Sequence, residues 1–281
     1  MSSLPRVMIG GPIRNREWSV PLWLGGLTGL DYPKHLLTLA ALVNDSADQT
    51  LDACRWWGDE AGRLGFGDVV IDEANLGTLV DLNQRHLRRD SDCYRPFAIA
   101  RQRWIDLRTD EEWFLQVDSD IQVPASLLTD LLELAGEHDV KFLAACIVNN
   151  HGAPGYASNV MYWSPNLERP LHVERMSPHS RGEGVHPCYL TGAVVLLHRS
   201  IFDAGLRYDT PTDFSGGEDE PFCVACAEAG FQPHYAPGVW ATHWMTPPVD
   251  LGYLRDSQGL LRLSRYYHSR SQHAFLEVPH V

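Results

Sequence analysis

Trp113-Phe114-Leu115-Gln116-Val117-Asp118-Ser119-Asp120 decides how this chain is read. Five residues suited to a buried strand run straight into two acids separated by one serine. Open α/β sheets gather their ligands at the carboxyl ends of their strands. Two carboxylates placed there can sit beside a hard divalent cation, which in turn can bridge phosphate oxygens. The same octapeptide also reads as a strand followed by a plain polar turn, because D-x-D is a short pattern. What surrounds it decides between the two.

Upstream, Val7-Met8-Ile9-Gly10 reads as a short buried strand, and Gly11 to Arg16 as a polar turn. Val20, Trp23, Leu24, Leu27 and Leu30 recur at helical spacing, and Asp31-Tyr32-Pro33 ends that helix. Leu36 to Val43 is a continuous apolar run, as expected of a strand covered on both faces, and it ends in the polar Asn44-Asp45-Ser46. Leu51 to Leu64 predicts a second helix, Val69-Val70-Ile71 a third strand, and Phe97 to Leu107 a helix leading into the central strand. Downstream, Pro124 opens a helix and Phe142 to Val148 gives a fifth strand. Strands alternating with helices of this length predict an α/β domain, a mainly parallel sheet with helices on both faces.

The alternation stops at Asn149. Residues 149–187, rich in Gly, Pro, His and Ser, show no clear period and read as a long loop, a feature often tied to function. Tyr189 to Leu197 restores a strand. Ser215-Gly216-Gly217-Glu218 reads as a capping box, with Ser215 at the N-cap and Glu218 three residues on. Phe222, Ala225, Cys226 and Ala229 would then line the buried face of that helix. Asp219 falls in its first turn, where the helix dipole favours a negative charge. Both acids therefore have a capping explanation as well as a chemical one. Val239 to Trp244 reads as a last strand carrying His243, and the tail from Pro247 as an amphiphilic segment packed over the domain.

The chain has 281 residues, 44% of them hydrophobic, enough for a sizeable core. Its formal charge of −13 weighs against sequence-independent nucleic-acid binding. The arginines at 85, 88, 89, 95, 101 and 103 nevertheless leave room for a local basic groove, or for a solvated helix face. Of six cysteines, only Cys223 and Cys226 form a C-x-x-C pair, and a structural zinc site would want a second. Buried reduced thiols are expected, which suits a reducing compartment. No basic-then-apolar leader opens the sequence and no run approaches 18 apolar residues, so the expected location is cytoplasmic, in the host cytoplasm if the chain is virus-encoded.

Four segments taken in order resemble glycosyltransferases of the GT-A fold, particularly the large inverting nucleotide-sugar family. They are Pro12-Ile13-Arg14-Asn15-Arg16, Val43 to Thr50, Val117 to Asp120, and Thr191-Gly192-Ala193 followed by Gly217-Glu218-Asp219-Glu220-Pro221-Phe222, with His243 beyond. The likeness implies a single Rossmann-like GT-A domain over residues 1–246, split into a nucleotide-binding half (1–120) and an acceptor half (121–246), with 247–281 as a packing tail. It implies that Asp45 accepts a hydrogen bond from the base and that the loop with Pro12, Arg14 and Asn15 holds the nucleoside. Asp118 would lie near the ribose, Arg95 or Arg101 on the diphosphate, and Ser119, Thr191 and Gly192 would be further contacts of the nucleotide sugar. Asp120, His243 and Asp118 would hold Mn²⁺ or Mg²⁺; imidazole among carboxylates suits Mn²⁺ better. Asp219, with Glu218 as competitor, would be the base that deprotonates the acceptor hydroxyl.

The implied activity is that of a metal-dependent hexosyltransferase, with a UDP-sugar first and a GDP-sugar second as donor. The acceptor stays open among a glycan, a small molecule, a protein and a hydroxymethylated base of viral DNA. Asn44-Asp45 stands where the family often has two acids, and 149–187 has no matching counterpart, although its Tyr156, Tyr162 and Trp163 could stack on a sugar or base. A nucleotidyltransferase would share the strand-end acids but wants a glycine-rich phosphate loop, of which Gly10 to Arg14 is a poor version. A non-catalytic carbohydrate-binding module would need neither metal nor nucleotide.

Overall fold

The apolar runs of the sequence form the spine of one sheet. The computed structural model describes residues 4–77, 91–150, 156–166, 168–174, 183–209 and 217–244, with two short strands at 254–255 and 261–262. The first half of the chain runs β1 (Val7–Ile13), α1 (Val20–Thr28), β2 (Leu37–Asn44), α2 (Thr50–Arg63), β3 (Asp68–Ala74), α3 (Ser91–Ile105) and β4 (Trp113–Val117). The second runs β5 (Ile121–Gln122), α4 (Leu127–Glu137), β6 (Phe142–Asn149), β7 (Tyr156–Ser164), β8 (Arg169–Glu174), β9 (His186–Pro187), β10 (Leu190–Thr191), β11 (Val194–His198), α5 (Arg199–Asp203), α6 (Asp219–Glu228) and β12 (His234–His243).

Nine strands make the main sheet, in the order β3-β2-β1-β4-β11-β6-β12-β5, with β9 on β12. β1 to β4 are parallel neighbours, β11 inserts antiparallel between β4 and β6, and β12 runs parallel to β6. The sheet is therefore mixed but mainly parallel. A second, antiparallel sheet has the order β10-β7-β8.

Each central strand feeds both faces, as the two-residue side-chain period requires. Ile9, Leu39 and Leu115 pack with Trp23, Leu24, Trp57 and Leu128 on the side of α1, α2 and α4. Met8, Leu42 and Phe114 pack with Trp104, Phe202 and Phe222 on the side of α3, α5 and α6. Each such buried side chain contributes about 1.5–3 kcal/mol. The two deepest indoles keep their N–H satisfied: Trp104 donates to the Ala40 carbonyl at 2.9 Å and Trp23 to the Val117 carbonyl at 3.1 Å. Gly10 (φ 136°) cannot be replaced at the crossing of β1 and β2, since a Cβ there would lie 1.9 Å from the Ala40 oxygen.

Five expectations need correction. β1 extends through Pro12 and Ile13, because the Ala41–Val43 stretch of β2 stays in register beside it. The region 149–187 is not one loop: β7 and β8 pair within it, and they escape notice because Pro and Gly crowd their flanks. Tyr189 to Leu197 is two strands, broken at Gly192-Ala193, where Ala193 takes the left-handed φ of 67°. α6 starts at Asp219 with Glu218 itself in the N-cap position and no side-chain capping bond, so Glu218 is not the third residue of a capping box; Ser215 lies outside the described residues. The buried face of α6 is Phe222, Cys223 and Cys226 rather than the stripe through Ala225 and Ala229, since Cys223 turns its thiol to the Thr191 carbonyl. The tail from 247 and Arg85, Arg88 and Arg89 lie outside the described residues, two short strands apart. The five described free cysteines are buried, as expected. No helix among the described residues is long and apolar enough to cross a membrane.

Candidate active site at the carboxyl edge of the sheet

The parallel strands end together, and their loops are tied to one another by side chains. Asn15 (φ 47°) accepts from the Ala47 N–H at 2.7 Å, and its own N–H donates to Ser46 Oγ. Asp48 accepts from the backbone N–H groups of Glu17 and Thr50, joining the loops after β1 and β2. Asp45 (φ 45°) accepts through Oδ1 from the N–H groups of Leu76 and Gly77, at 3.1 and 3.2 Å, joining the loops after β2 and β3. Short polar residues reach the left-handed region at a tolerable cost, which explains Asn and Asp at these strand ends.

The D-x-D turn is held just as firmly. Ser19 Oγ donates to the Ser119 carbonyl at 2.6 Å, and the Asp118 N–H donates to the Ala193 carbonyl at 2.8 Å. Ile121 closes the turn through its N–H to the Asp118 carbonyl. The two-residue β5 then pairs with β12 so that His243 lies opposite Ile121. This brings His243 Nε2 to 3.3 Å from Asp120 Oδ1.

An open cleft of about 220 Å³ lies over these ends. Pro12, Arg14, Arg101, Asp118, Ser119, Asp120, Glu218 and His243 line it, joined by Arg16, Asn44 and Phe97. Asn15 and Asp45 tie the loops together without lining the cleft, Arg95 is exposed on α3 outside it, and Thr191 is buried.

Two ionic arrangements share the cleft. In the first, buried Arg101 serves three acids: Nη1 donates to Asp118 Oδ1 at 2.8 Å, Nε to Glu218 Oε1 at 3.1 Å, and Asp219 Oδ1 lies 3.6 Å from Nε. Arg101, expected on a diphosphate, is thus engaged by the protein's own carboxylates. Asp219 occupies a notch that only glycine leaves open, since a Cβ on Gly192 would meet Asp219 Oδ2 at 2.2 Å. Its side chain keeps 25% exposure, against 8% for Glu218. Burial lifts the Asp219 carboxyl to about 8; Arg101 opposes the rise, and the charges of Glu218 and Asp118 add to it. Burial also raises Asp118, with Arg101 pulling the other way.

In the second arrangement, Asp120 faces His243 on one side and Arg16 Nε, at 3.5 Å, on the other. Burial would raise Asp120, but the hydrogen bond and charge of His243, helped by Arg16, outweigh it and hold the carboxyl below its usual range. His243 is raised for the reciprocal reason, Asp120 overcoming the effect of burial. His243 Nδ1 lies 2.9 Å from Asn149 Oδ1, a geometry in which the ring donates through Nδ1. In the neutral ring, Nε2 then turns its lone pair toward a carboxylate, an arrangement that a proton or a cation must complete. Asp120 and His243 fit a divalent cation on these grounds. Among the described residues, no three His, Cys, Asp or Glu side chains converge on one metal position, and Asp118 is turned to Arg101. A metal held here would need oxygens from its ligand.

Arg16 and Asn149 were not singled out as site residues by the sequence. Arg16 belongs to the loop that was, one residue past its quoted contacts; Asn149 is the residue at which the pattern of β6 ends.

No protein-family model matches the chain. It is 24% identical over 140 residues to the mannan polymerase II complex ANP1 subunit of Saccharomyces cerevisiae, and 25% identical over 138 residues to the anp1 subunit of Schizosaccharomyces pombe. Each match covers 45% of this chain but only 28% and 32% of those relatives, so the chain spans about a third of their length. Among solved structures, TarS 1-349 of S. aureus superposes with a TM-score of 0.52 at 14% identity, over 85% of this chain and 60% of TarS. The mannosyltransferase PcManGT of Pyrobaculum calidifontis, in complex with GDP-Man and Mn²⁺, does so with a TM-score of 0.56 at 17% identity, over 86% of this chain and 57% of its own. With its mainly parallel sheet and the strand-end loops in this order, the chain has the GT-A fold of glycosyltransferases.

Proposed function

We propose that this chain is a nucleotide-sugar-dependent hexosyltransferase whose reaction takes place in the strand-end cleft. The observation that carries the reading is the Asp120–His243 pair, oriented by Asn149 and facing a cleft already rich in carboxylates. Asp118, Asp120 and Glu218 match the guanidinium groups of Arg14, Arg16 and Arg101 one for one around it. A diphosphate would find no surplus of positive charge in such a field unless a cation accompanied it. A divalent ion on Asp120 and His243 would neutralise the charge that develops on the departing nucleoside diphosphate. TarS in complex with UDP and with UDP-GlcNAc, and the Mn²⁺ and GDP-Man of the mannosyltransferase, support this reading.

The protein's own residues supply the rest. Arg16 releases Asp120 and turns to the diphosphate; Arg14 and Pro12 hold the nucleoside against the end of β1. Asp219 takes the proton from the acceptor hydroxyl as that oxygen attacks the anomeric carbon and the sugar–phosphate bond breaks. Its raised carboxyl suits a base working near neutral pH. Glu218, sealed against Arg101, positions Asp219 rather than reacting. This assignment makes the transfer inverting. Relatives named for mannan and a neighbour holding GDP-Man make GDP-mannose the donor to try beside UDP-sugars, with a glycan as acceptor.

The test is nucleotide release from UDP-, GDP-, TDP- and CMP-linked sugars, with Mn²⁺ or with chelator. Mn²⁺-dependent release from one donor is expected, and Asp120→Ala should lower it at least a hundredfold. Release that persists in the chelator, or an Asp120→Ala protein at wild-type rate, overturns the reading.

A further inference from the structure

A second cavity, of about 360 Å³, opens on the far flank of α6 and shares no lining residue with the cleft. That volume lies in the range of small-ligand sites. Its walls are aromatic on one side and helical on the other. Trp163 and Tyr189 meet with ring centroids 5.0 Å apart and planes at 51°, and Tyr162 stands beside them. Trp163 is 45% exposed and Tyr162 43%, an unusual degree of solvent contact for rings that could have turned inward. The opposite wall is Val224, Ala227 and Glu228 of α6, and Gln232 closes the floor.

We propose that this cavity is a saccharide subsite that holds a neutral pyranose of an extended glycan. A pyranose ring offers a face of C–H groups, which packs against the electron-rich face of an aromatic ring, and a rim of hydroxyls. Trp163 supplies the platform. Tyr189 is held in place because its hydroxyl donates to Glu220 Oε1 at 2.8 Å. The exposed Glu228 carboxylate faces the hydroxyl rim, and so does Gln232, whose side-chain nitrogen already donates to the Cys188 carbonyl and leaves its oxygen as acceptor. Among the described residues no lysine or arginine lines the cavity, which favours a neutral sugar over a phosphorylated or acidic one.

Position adds to the argument. Glu220, Val224, Ala227 and Glu228 follow one face of α6, and Asp219 opens the same helix. At 1.5 Å per residue, the cavity wall lies about 7 to 14 Å along the helix from that start. A glycan of a few units could lie in the cavity while its terminal hydroxyl reaches Asp219. That placement on the acceptor side rests on the hexosyltransferase reading; sugar binding by the cavity does not.

Saturation-transfer NMR with mannotriose, cellotriose and maltotriose, in the absence of nucleotide, tests the subsite. At least one trisaccharide should receive saturation with millimolar half-saturation. Trp163→Ala should weaken that binding at least tenfold with little change in melting temperature; Tyr162→Ala serves as the second variant should the first not fold. GDP or UDP with Mn²⁺ should leave the signal in place. No transfer to any of the three sugars, equal binding by both variants, or displacement of the sugar by nucleotide overturns the proposal. Sugar binding retained by a protein that binds no nucleotide would support the subsite while removing the hexosyltransferase reading.

Discussion

The two ionic arrangements of the cleft use the same kinds of group to opposite ends. Around Arg101, one buried guanidinium holds Asp118, Glu218 and Asp219 and joins the end of β4 to the start of α6. At Asp120, His243 at 3.3 Å and Arg16 at 3.5 Å each touch the carboxylate through a single contact, with all three side chains partly exposed. The first is structure: one guanidinium holds three acids, and it cannot leave without stranding them. The second is a set of contacts that a ligand can exchange. A buried charge network fixes geometry without adding much net stability, whereas breaking one is costly. Their separation within one cleft would let a ligand exchange at Asp120 while Asp219 stays in place.

Arg101→Ala is the strongest way to break this comparison. It leaves three acids facing one another with no cation, a loss of about 3–5 kcal/mol for a buried pair broken on one side. At roughly 2–4 °C per kcal/mol, the melting temperature should fall by about 10 °C or more at pH 7. The loss should shrink at pH 5, where the stranded carboxyls can protonate. A variant as stable as the wild type at pH 7 would mean that Arg101 is no keystone and that the two arrangements do not differ in kind.

The same contrast separates what the sequence discloses from what it hides. Strands β2, β4 and β6 are legible because burial on both faces writes a long apolar run, broken in β4 by Gln116 alone. The D-x-D turn is legible because it ends such a run. Arg101 reads as a diphosphate contact and not as the partner of three acids, since those partners lie 17 and 117 residues away and a helical period carries no trace of them. Glu218 reads as a cap for the same reason. The approach of His243 to Asp120 depends on β5, which is two residues long, too short to show a period of two. Gly192 gives no local sign that it clears space for a carboxylate 27 residues later. The β7–β8 hairpin hides behind glycines and prolines in its flanks. Long-range electrostatics and the short or irregular strands are the parts that local patterning cannot encode.

Asn149→Ala sharpens the comparison at the exchangeable side. The Asn149 oxygen sets which nitrogen of His243 carries the proton, and so which one faces Asp120. Loss of a group that orients a metal-ligating histidine typically weakens metal binding 10- to 100-fold. Calorimetric titration of Mn²⁺ into the protein with GDP or UDP present should show a shift of that size, with the melting temperature nearly unchanged. An unchanged titration would mean that Asn149 does not govern the ring, and would leave His243 as a partner of Asp120 alone.

Asp219→Asn shifts stability by a few degrees and only at the higher pH, and it gives the most direct reading of the buried side. Asp219 titrates higher in the folded protein, at about 8, than in the unfolded chain, near the usual value of about 3.9. Folding thus favours its protonated form. The stability this group contributes is complete below the unfolded value and is lost as pH rises through the folded one. Asparagine has nearly the same shape and never ionises, so the variant does not suffer that loss. The two proteins should melt together near pH 4, and the variant should melt a few degrees higher by pH 8.5, even as its transfer rate falls far more than its donor affinity. That pairing of a gain in stability with a loss of rate is the mark of a strained acid kept for chemistry. A variant that instead melts lower at pH 8.5 would show Asp219 to be an ionised partner of Arg101, and both acids at the start of α6 would then belong to structure alone.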